Sequence, residues 1–200
     1  NAGVDIKEIQ RSQGYGALIG ANKGCYAAFK SIYECKVPVI AAVHGYCLGG
    51  GTELSLSCDF RIGSMDSIIG LPETSIGIIP GAGGTFRLPK VLGVQKSKYW
   101  IFTGKKFKGQ EAKEFGFLID CVDKDKLFDT GILIANDILK NAPIAIKCSK
   151  KAINRSLYER DRKITLNNER NSYNIALNTK DRDEALDAFI NKRKPNWSNE

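Results

Sequence analysis

Two glutamates and a run of glycines are the residues of this chain whose types and spacing could do chemistry. Glu53 follows the glycine triplet 49–51 in the segment HGYCLGGGTEL. Successive glycines raise the entropy of the unfolded chain, so they suit a sharp turn or a place where a ligand approaches the backbone closely. Free amides at a helix N-terminus can hold a phosphate or the oxyanion of a reacting carbonyl. A carboxylate beside them would repel phosphate but could act as an acid or base on a carbonyl compound.

A second carboxylate, Glu73, follows Pro72 in the segment LPETSIGIIPGAGG. The proline restricts the local backbone and helps to direct Glu73, and the later glycines permit tight packing. Taken singly, Glu53 could simply stabilise a first helical turn, and Glu73 could be an exposed loop acid. Together with a glycine amide site, the two acids predict acid–base chemistry beside a polarised carbonyl.

The composition excludes several other mechanisms. His44 is the single histidine, and the chain contains no GxSxG, GxxxxGK[ST] or GxGxxG segment; these are the signatures of serine hydrolases, P-loops and dinucleotide-binding turns. We expect His44 to be structural. The six cysteines show no CxxC pair, which suits small buried hydrophobic residues in a reducing compartment. No metal site is predicted.

Alternating strands and helices must position the two acids. Strands joined by crossover helices and followed by a helical part indicate an α/β or mixed architecture. The first predicted elements are a helix over 22–34, a buried strand over 37–43, a helix from about Gly51, a strand over 58–63 and a mainly loop segment over 67–89. The remainder is predicted to be helical, over 95–102, 109–116, 125–140 and from Pro143 onward, with a strand over 117–122.

Length and charge leave the partner open. The 200 residues suit one domain, and no apolar run approaches the length of about 20 residues that a membrane helix needs. The net charge of +8 fits a solvated basic surface, a polyanionic small ligand or nucleic acid. The chain opens on NAGVD, and an upstream segment is expected.

Five ordered segments resemble the enoyl-CoA hydratase/isomerase (crotonase) family over essentially the whole chain. Five motifs in the right order are far more specific than one glycine loop. They are AGVDIKE, PVIAAVHGYCLGGGTELSLSCDFRI, LPETSIGIIPGAGGTFRLP, FTGKKFKGQEAKEFGFLIDCV and AFINKRKPNW.

The resemblance implies the architecture and the assembly. The fold class would be α/β, a crotonase-like spiral of ββα units with a helical C-terminal trimerisation region. The spiral core would occupy residues 1–140, with its N-terminal strands missing, and the helical region residues 141–200. Family members form homotrimers and often hexamers, as dimers of trimers. The expected location is the cytoplasm, or the mitochondrial matrix in a eukaryote, without membrane attachment.

The resemblance also implies the reaction, hydration of a 2-enoyl-CoA thioester to a 3-hydroxyacyl-CoA in fatty acid β-oxidation. Such an enzyme is a carbon–oxygen lyase. The backbone amides of Val4 and Gly50 would form the oxyanion hole for the thioester oxygen. Glu73 would exchange a proton with substrate carbon, and Glu53 would position and activate water.

The substrate carries coenzyme A, and no other cofactor is expected. Phe189 and Lys192 match positions that meet the CoA adenine and phosphates, typically across a subunit boundary. The residues implied to bind substrate are Ala2, Gly3, Val4, Asp5, Ile6, Gly50, Phe189 and Lys192.

Departures from the family pattern leave alternatives. Val4 is bulkier than the usual alanine, and His44 replaces the usual Asn or Asp. Another crotonase reaction is the first alternative: methylglutaconyl-CoA hydration, enoyl-CoA isomerisation or ring-opening CoA hydrolysis. Isomerases commonly keep one acid and the ring-opening branch tends to lack the acid at position 53, so the pair Glu53 and Glu73 favours a hydratase. The second alternative is an RNA-binding relative, although no aromatic–basic pattern of the RRM type occurs and nucleic acid is not the expected partner.

Overall fold

The computed structural model describes residues 1–3, 5, 7 and 15–200. Its helices are α1 (Tyr15–Tyr33), α2 (Gly50–Ser55), α3 (Gly84–Leu92), α4 (Val94–Thr103), α5 (Gly109–Phe115), α6 (Leu127–Leu139), α7 (Pro143–Ser156), α8 (Arg162–Leu177) and α9 (Lys180–Ile190). Its strands are β1 (Ile40–Val43), β2 (Tyr46–Leu48), β3 (Phe60–Ser64), β4 (Ile68–Gly70), β5 (Lys106–Lys108) and β6 (Asp120–Val122). Two 3-10 helices span Glu73–Ile76 and Lys124–Lys126.

The described chain divides into two structural units. The first contains Asn1–Cys35 and Val39–Gly131, and the second contains Lys36–Pro38 and Ile132–Glu200. The sequence-based division at residues 140 and 141 stays a prediction. In the part of the chain that the structure describes, no helix combines the length and the apolar character needed to traverse a bilayer.

The first four strands of the first unit alternate between two sheets. One sheet has the order β1-β3-β6 with all strands parallel, and Ile40 lies opposite Phe60 in its register. The other has the order β2-β4-β5, with β2 and β4 parallel and β5 antiparallel to β4. Because successive strands leave one sheet for the other, the chain repeats the same path from β1 to β4. This path agrees with the expected ββα repeat.

Aromatic side chains form a core in the first unit, next to the segment that carries Glu73. Trp100 and Phe117 are fully buried, and the ring centroid of Trp100 lies 4.4 Å from that of Phe107. Leu71 and Leu88 are fully buried in the same cluster. Burying a side chain of this size contributes about 1.5–3 kcal/mol. The two leucines therefore fix both ends of the segment between them.

Helix α2, which carries Glu53, is anchored at its start. Gly49 takes a positive φ of 53° and its N–H donates to the Gly70 carbonyl, 3.0 Å away. The buried Thr52 hydroxyl lies 2.6 Å from the Cys47 carbonyl and 2.8 Å from the Gly70 carbonyl. These contacts join the first turn of the helix to β2 and β4.

The end of α2 is anchored as well. The buried Arg61 donates from Nη1 to the Ser55 carbonyl at 3.3 Å and the Cys58 carbonyl at 3.1 Å. Its Nε donates to the Phe117 carbonyl at 3.0 Å. Orphan carbonyls at a helix end need such donors. The helix that presents Glu53 is thus held at both ends.

The second unit is built from helices. Helices α7 and α8 pack against each other. Asp181, fully buried at the start of α9, accepts hydrogen bonds from the backbone N–H of Ser198 at 2.6 Å and of Asn199 at 3.1 Å. These bonds hold the last residues of the chain against α9.

The structure differs from the sequence-based elements in several places. The strand β5 was not predicted, and the buried strand expected over 37–43 is observed only over Ile40–Val43, where Val43 alone is buried. Residues 67–89, expected to be mainly loop, contain β4, a 3-10 helix and the first part of α3. Their glycines and prolines mark junctions between short elements, and pairing with β2 and β5 makes a strand of Ile68–Gly70. The strand β2 was not anticipated, because three residues are too few to show a periodicity.

Candidate active site

The N-terminal residues lie beside the glycine triplet. The Asn1 carbonyl accepts from the Leu48 N–H at 3.2 Å, and the Asn1 backbone nitrogen donates to the Tyr46 carbonyl at 2.9 Å. A Cβ atom at Gly51 would lie 2.0 Å from the Asn1 carbonyl oxygen. Position 51 therefore requires glycine, because the backbone of Asn1 occupies the space that a side chain would need.

Gly3 and Gly50 converge at the start of α2. Gly3 has a φ of +96°, and a Cβ atom there would lie 3.4 Å from the Gly50 amide nitrogen. Gly50 is the first residue of α2, so its N–H has no acceptor within the helix. The amide expected to polarise a carbonyl thus sits where the segments 1–3 and 49–51 meet.

The remaining N-terminal candidates are described only in part. Ala2 and Asp5 are exposed, and Asp5 Oδ1 accepts from the Lys7 N–H at 2.9 Å. Val4 and Ile6 lie outside the described residues, so the second amide of the expected oxyanion hole stays a prediction.

Glu53 is buried and held by backbone amides from a distant loop. Its side chain projects from the first turn of α2, and the residue is 3% exposed. Its Oε1 accepts from the Ala82 N–H at 2.7 Å and the Gly84 N–H at 2.8 Å. Burial raises the pKa of Glu53, while these two bonds and the charge of Arg87 oppose the rise. The carboxylate is therefore fixed in direction, and the two amides and Arg87 offset part of the cost of ionising it in a buried position.

Glu73 faces the same place from the 3-10 helix. A Cβ atom at Gly49 would lie only 3.2 Å from Glu73 Oε1, so the carboxyl group rests against the glycine backbone. Its Oε2 is buried and has no hydrogen-bond partner among the described residues. A buried polar atom without a partner is costly, and such atoms concentrate where a ligand supplies the missing bond.

The two acids differ in their proton affinity. Burial raises the pKa of Glu73 to about 7, a contact with its own backbone N–H opposes this, and the negative charge of Glu53 adds to it. Glu53 has two strong amide donors and a nearby guanidinium, so it loses its proton first. At neutral pH the site can hold one carboxylate and one carboxylic acid together.

The loop 80–84 supplies contacts that the sequence did not reveal. Its glycines suggested tight packing, but the donation of its amides to Glu53 needed the fold. A Cβ atom at Gly83 would lie 1.9 Å from Arg87 Nη1, which donates to the Ala82 carbonyl at 3.1 Å. Gly83 thus leaves room for the guanidinium to cross the loop.

His44 and two tail residues are the remaining candidates. His44 is exposed between β1 and β2 and does not take the structural position expected for it. Phe189 and Lys192 belong to the second unit. Phe189 is 85% exposed at the end of α9, and Lys192 takes a φ of 52° just beyond it. Their relation to a ligand stays a prediction.

Comparison with known proteins identifies the family. A model of the enoyl-CoA hydratase/isomerase family matches residues 1–200, and the chain belongs to this family. The short-chain-enoyl-CoA hydratase of Clostridium acetobutylicum is 41% identical over 196 residues, covering 96% of this chain and 73% of that protein. A probable mitochondrial enoyl-CoA hydratase 2 of Arabidopsis thaliana is 41% identical over 194 residues, covering 97% of this chain and 64% of that protein.

A solved structure confirms the fold. The enoyl-CoA hydratase of Bacillus anthracis matches with a TM-score of 0.93 at 41% identity, covering 100% of this chain and 76% of that one. The predicted family, enzyme class and crotonase-like fold are therefore confirmed. This chain spans 64% to 76% of the lengths of these three proteins.

Relatives named for other reactions match at similar levels. A hexahydro-indene carboxyl-CoA hydrolase of Rhodococcus jostii is 38% identical over 196 residues, covering 98% of this chain and 74% of that protein. The mitochondrial methylglutaconyl-CoA hydratase of Rattus norvegicus is 37% identical over 205 residues, covering 100% of this chain and 64% of that protein.

The packing around Glu53 predicts that Gly84→Ala is damaging. The added Cβ would lie 2.6 Å from Pro80 Cβ and 3.1 Å from Glu53 Oε1, so the loop must shift. We expect a loss of about 1–3 kcal/mol in the free energy of unfolding, measured in urea. Gly131→Ala is the control. Gly131 lies in α6, and its added Cβ would make an ordinary contact of 3.5 Å with Ile62 Cδ1. That control should be neutral or stabilising by up to about 1 kcal/mol; equal losses in both variants would contradict the packing argument.

Proposed function

We propose that the protein hydrates a 2-enoyl-CoA thioester to a 3-hydroxyacyl-CoA. The observation that carries this proposal is the pair of glutamates, buried Glu53 and half-buried Glu73, beside the Gly50 amide. Family membership supports an acyl-CoA thioester as the substrate class. The reaction itself is our inference from the geometry of the acids.

The glycine amide would act on the thioester oxygen. Addition of a nucleophile to an α,β-unsaturated thioester builds enolate charge on that oxygen. The Gly50 N–H at the start of α2, together with the Val4 N–H, would donate to it. An oxyanion-hole donor in a water-poor site is worth about 3–4 kcal/mol of transition-state stabilisation.

The two acids would divide the proton transfers. Ionised Glu53, directed by the Ala82 and Gly84 amides, would accept a proton from water as it attacks the β-carbon. Protonated Glu73 would donate a proton to the α-carbon, which forms the new C–H bond. Return of the proton from Glu53 to Glu73 restores the site, so the net result adds one water across the double bond. The different hydrogen bonds of the two acids support these roles.

Coenzyme A would be recognised as part of the substrate. Ala2, Gly3 and Asp5, with Val4 and Ile6, would line the thioester end. Phe189 would contact the adenine and Lys192 a phosphate, which gives part of the net charge of +8 a partner.

The proposed assembly is a homotrimer or a hexamer. Helices of the second unit expose large apolar side chains, among them Leu133 at 65%, Ile153 at 60% and Ile190 at 75%. Contiguous exposed apolar surface is typical of subunit interfaces. A location in the cytoplasm or the mitochondrial matrix, and a place in fatty acid β-oxidation, are part of the same proposal.

Another reaction of the same family is the alternative, because some relatives are named for other reactions. Matches to proteins named methylglutaconyl-CoA hydratase and carboxyl-CoA hydrolase support testing branched and ring substrates. Short, long, branched and carbocyclic CoA thioesters should be compared, with products identified by mass. Water addition to straight-chain substrates supports the proposal. Isomerised or ring-opened products without hydration would overturn it.

The role of Glu73 predicts the effect of Glu73→Gln on hydration of crotonyl-CoA. We expect kcat to fall by about 10²- to 10⁴-fold, because the amide cannot supply the proton. Since the pKa of Glu73 is about 7, wild-type kcat/KM for hydration should fall as pH rises above that value. Because hydration consumes no proton, the ratio of forward to reverse kcat/KM does not depend on pH, so kcat/KM for the reverse dehydration should fall over the same pH range.

Both effects are followed by the ultraviolet absorbance of the enoyl thioester. The exposed Glu34→Gln in the same unit is the control and should leave rate and pH profile unchanged. Two outcomes would exclude Glu73 from the mechanism: near-normal turnover by Glu73→Gln, or a variant in which kcat/KM for hydration still decreases with pH as in wild type.

The backbone conformation of Lys192 predicts that Lys192→Gly weakens CoA binding without lowering the stability of the fold. A positive φ is unfavourable for lysine and open to glycine. We therefore expect an unchanged or higher unfolding midpoint, with CoA affinity lowered about tenfold by loss of a phosphate partner, measured by calorimetry. The exposed Lys151→Gly is the control: as a helix-interior change it should lower stability by about 1 kcal/mol without altering affinity. Unchanged affinity in Lys192→Gly would exclude the phosphate contact.

A further inference from the structure

One peptide group connects Glu53 to a tyrosine far away in the sequence. The Ala82 N–H donates to Glu53 Oε1 at 2.7 Å. The carbonyl of the same peptide belongs to Gly81 and accepts from the Tyr26 hydroxyl at 2.5 Å. Tyr26 lies on α1, 55 residues before Gly81. A continuous series of hydrogen bonds therefore runs from Tyr26 through the peptide to the carboxylate.

We propose that Tyr26 is a positioning residue for Glu53, acting through the Gly81–Ala82 peptide. The proposal rests on the proposed function, because it assigns Tyr26 to the acid that would activate water. Tyr26 does not touch Glu53 directly, so its effect must pass through the orientation and polarity of this peptide.

The composition of the loop explains why a second contact is needed. Gly81 precedes the peptide and Gly83 follows Ala82, and glycines allow backbone conformations that other residues rarely adopt. Such a peptide can turn over between two orientations, as the two common β-turn types illustrate. Only the orientation with its N–H toward α2 serves Glu53. A hydroxyl on the opposite carbonyl selects that orientation.

The hydrogen bonds also reinforce one another. A donor on the carbonyl of an amide polarises the group and strengthens the bond that its N–H makes. Removal of the Tyr26 hydroxyl should therefore weaken the Ala82 bond to the ionised form of Glu53. Because a bond to the ionised form lowers a carboxyl pKa, its weakening raises the pKa.

Other groups around Glu53 make the effect partial. The Gly84 N–H remains a second donor at 2.8 Å. Arg87 in α3 approaches with positive charge and holds the Ala82 carbonyl, and Glu73 in the 3-10 helix brings negative charge. These groups are unchanged by a substitution at Tyr26, so a shift in the pKa of Glu53 in Tyr26→Phe would report the loss of the hydroxyl alone.

The test variant is Tyr26→Phe, which removes the hydroxyl and keeps the ring. Tyr26 is 49% exposed, so the variant leaves no buried cavity and should fold. Tyr99→Phe is the matched control. Tyr99 is 41% exposed in the same unit, and its hydroxyl accepts from Lys105 Nζ at 2.8 Å. Tyr26→Ala removes the ring as well.

Two readouts are needed. The first is the carboxyl titration of Glu53 in protein labelled with [δ-¹³C]glutamate, assigned by the signal missing in Glu53→Gln. The second is the pH dependence of kcat and KM with crotonyl-CoA. In Tyr26→Phe we expect the pKa of Glu53 to be higher, and the acidic limb of the kcat profile to move to higher pH with it. At pH values within that limb, kcat should fall about threefold to tenfold relative to wild type. KM should stay within about twofold and Tyr99→Phe should match wild type.

The outcomes separate the inference from the proposed function. If Tyr26→Phe matches wild type in the Glu53 titration, the inference is wrong, whatever the activity. The same holds if only Tyr26→Ala loses activity, because the ring then acts by packing. If wild type fails to hydrate any enoyl-CoA but the Glu53 titration moves in Tyr26→Phe, the positioning contact stands and the proposed function falls.

Discussion

The site depends on a buried carboxylate that two backbone amides keep ionisable. Moving a charged carboxylate out of water is costly unless donors replace its hydration. Glu53 is 3% exposed, and the Ala82 and Gly84 amides supply that replacement. The donors come from a loop about 30 residues further along the chain, so burial of Glu53 and closure of the loop must occur together. Anchors at both ends of α2 and the buried leucines on either side of the loop serve this requirement.

The same constraint separates two chemically identical acids. Glu53 and Glu73 are both glutamates in one site, yet the first accepts two amide hydrogen bonds and the second has an oxygen without a partner in the described structure. Burial raises the pKa of Glu73 to about 7 against a single opposing contact with its own backbone N–H, and the charge of Glu53 adds to the rise. An acid and a base can thus stand side by side at neutral pH because their hydrogen bonds differ. The functional assignment follows from that asymmetry.

Glycines make the arrangement sterically possible, each for its own reason. Gly51 lets the Asn1 carbonyl pass, Gly49 lets Glu73 rest against the backbone, and Gly84 lets Glu53 reach an amide. Gly83 makes room for the Arg87 guanidinium. None of these neighbours is close in sequence to the glycine that accommodates it, apart from Arg87. Close approach between segments therefore accounts for these four glycines.

The sequence by itself determined the family, the α/β class, the helix that starts at the glycine triplet and both acids. Glycine turns, a buried apolar run and ordered motifs are local patterns that can be read along the chain. It did not reveal β2 and β4, the amides that hold Glu53, or the contact between Tyr26 and Gly81. Tertiary structure alone decided these, because three-residue strands exist only through their partners and a backbone amide has the same identity in every residue. Which amide meets which carboxylate, and so which glutamate keeps its proton, is fixed only when residues 26, 53, 73 and 82 are brought together by folding.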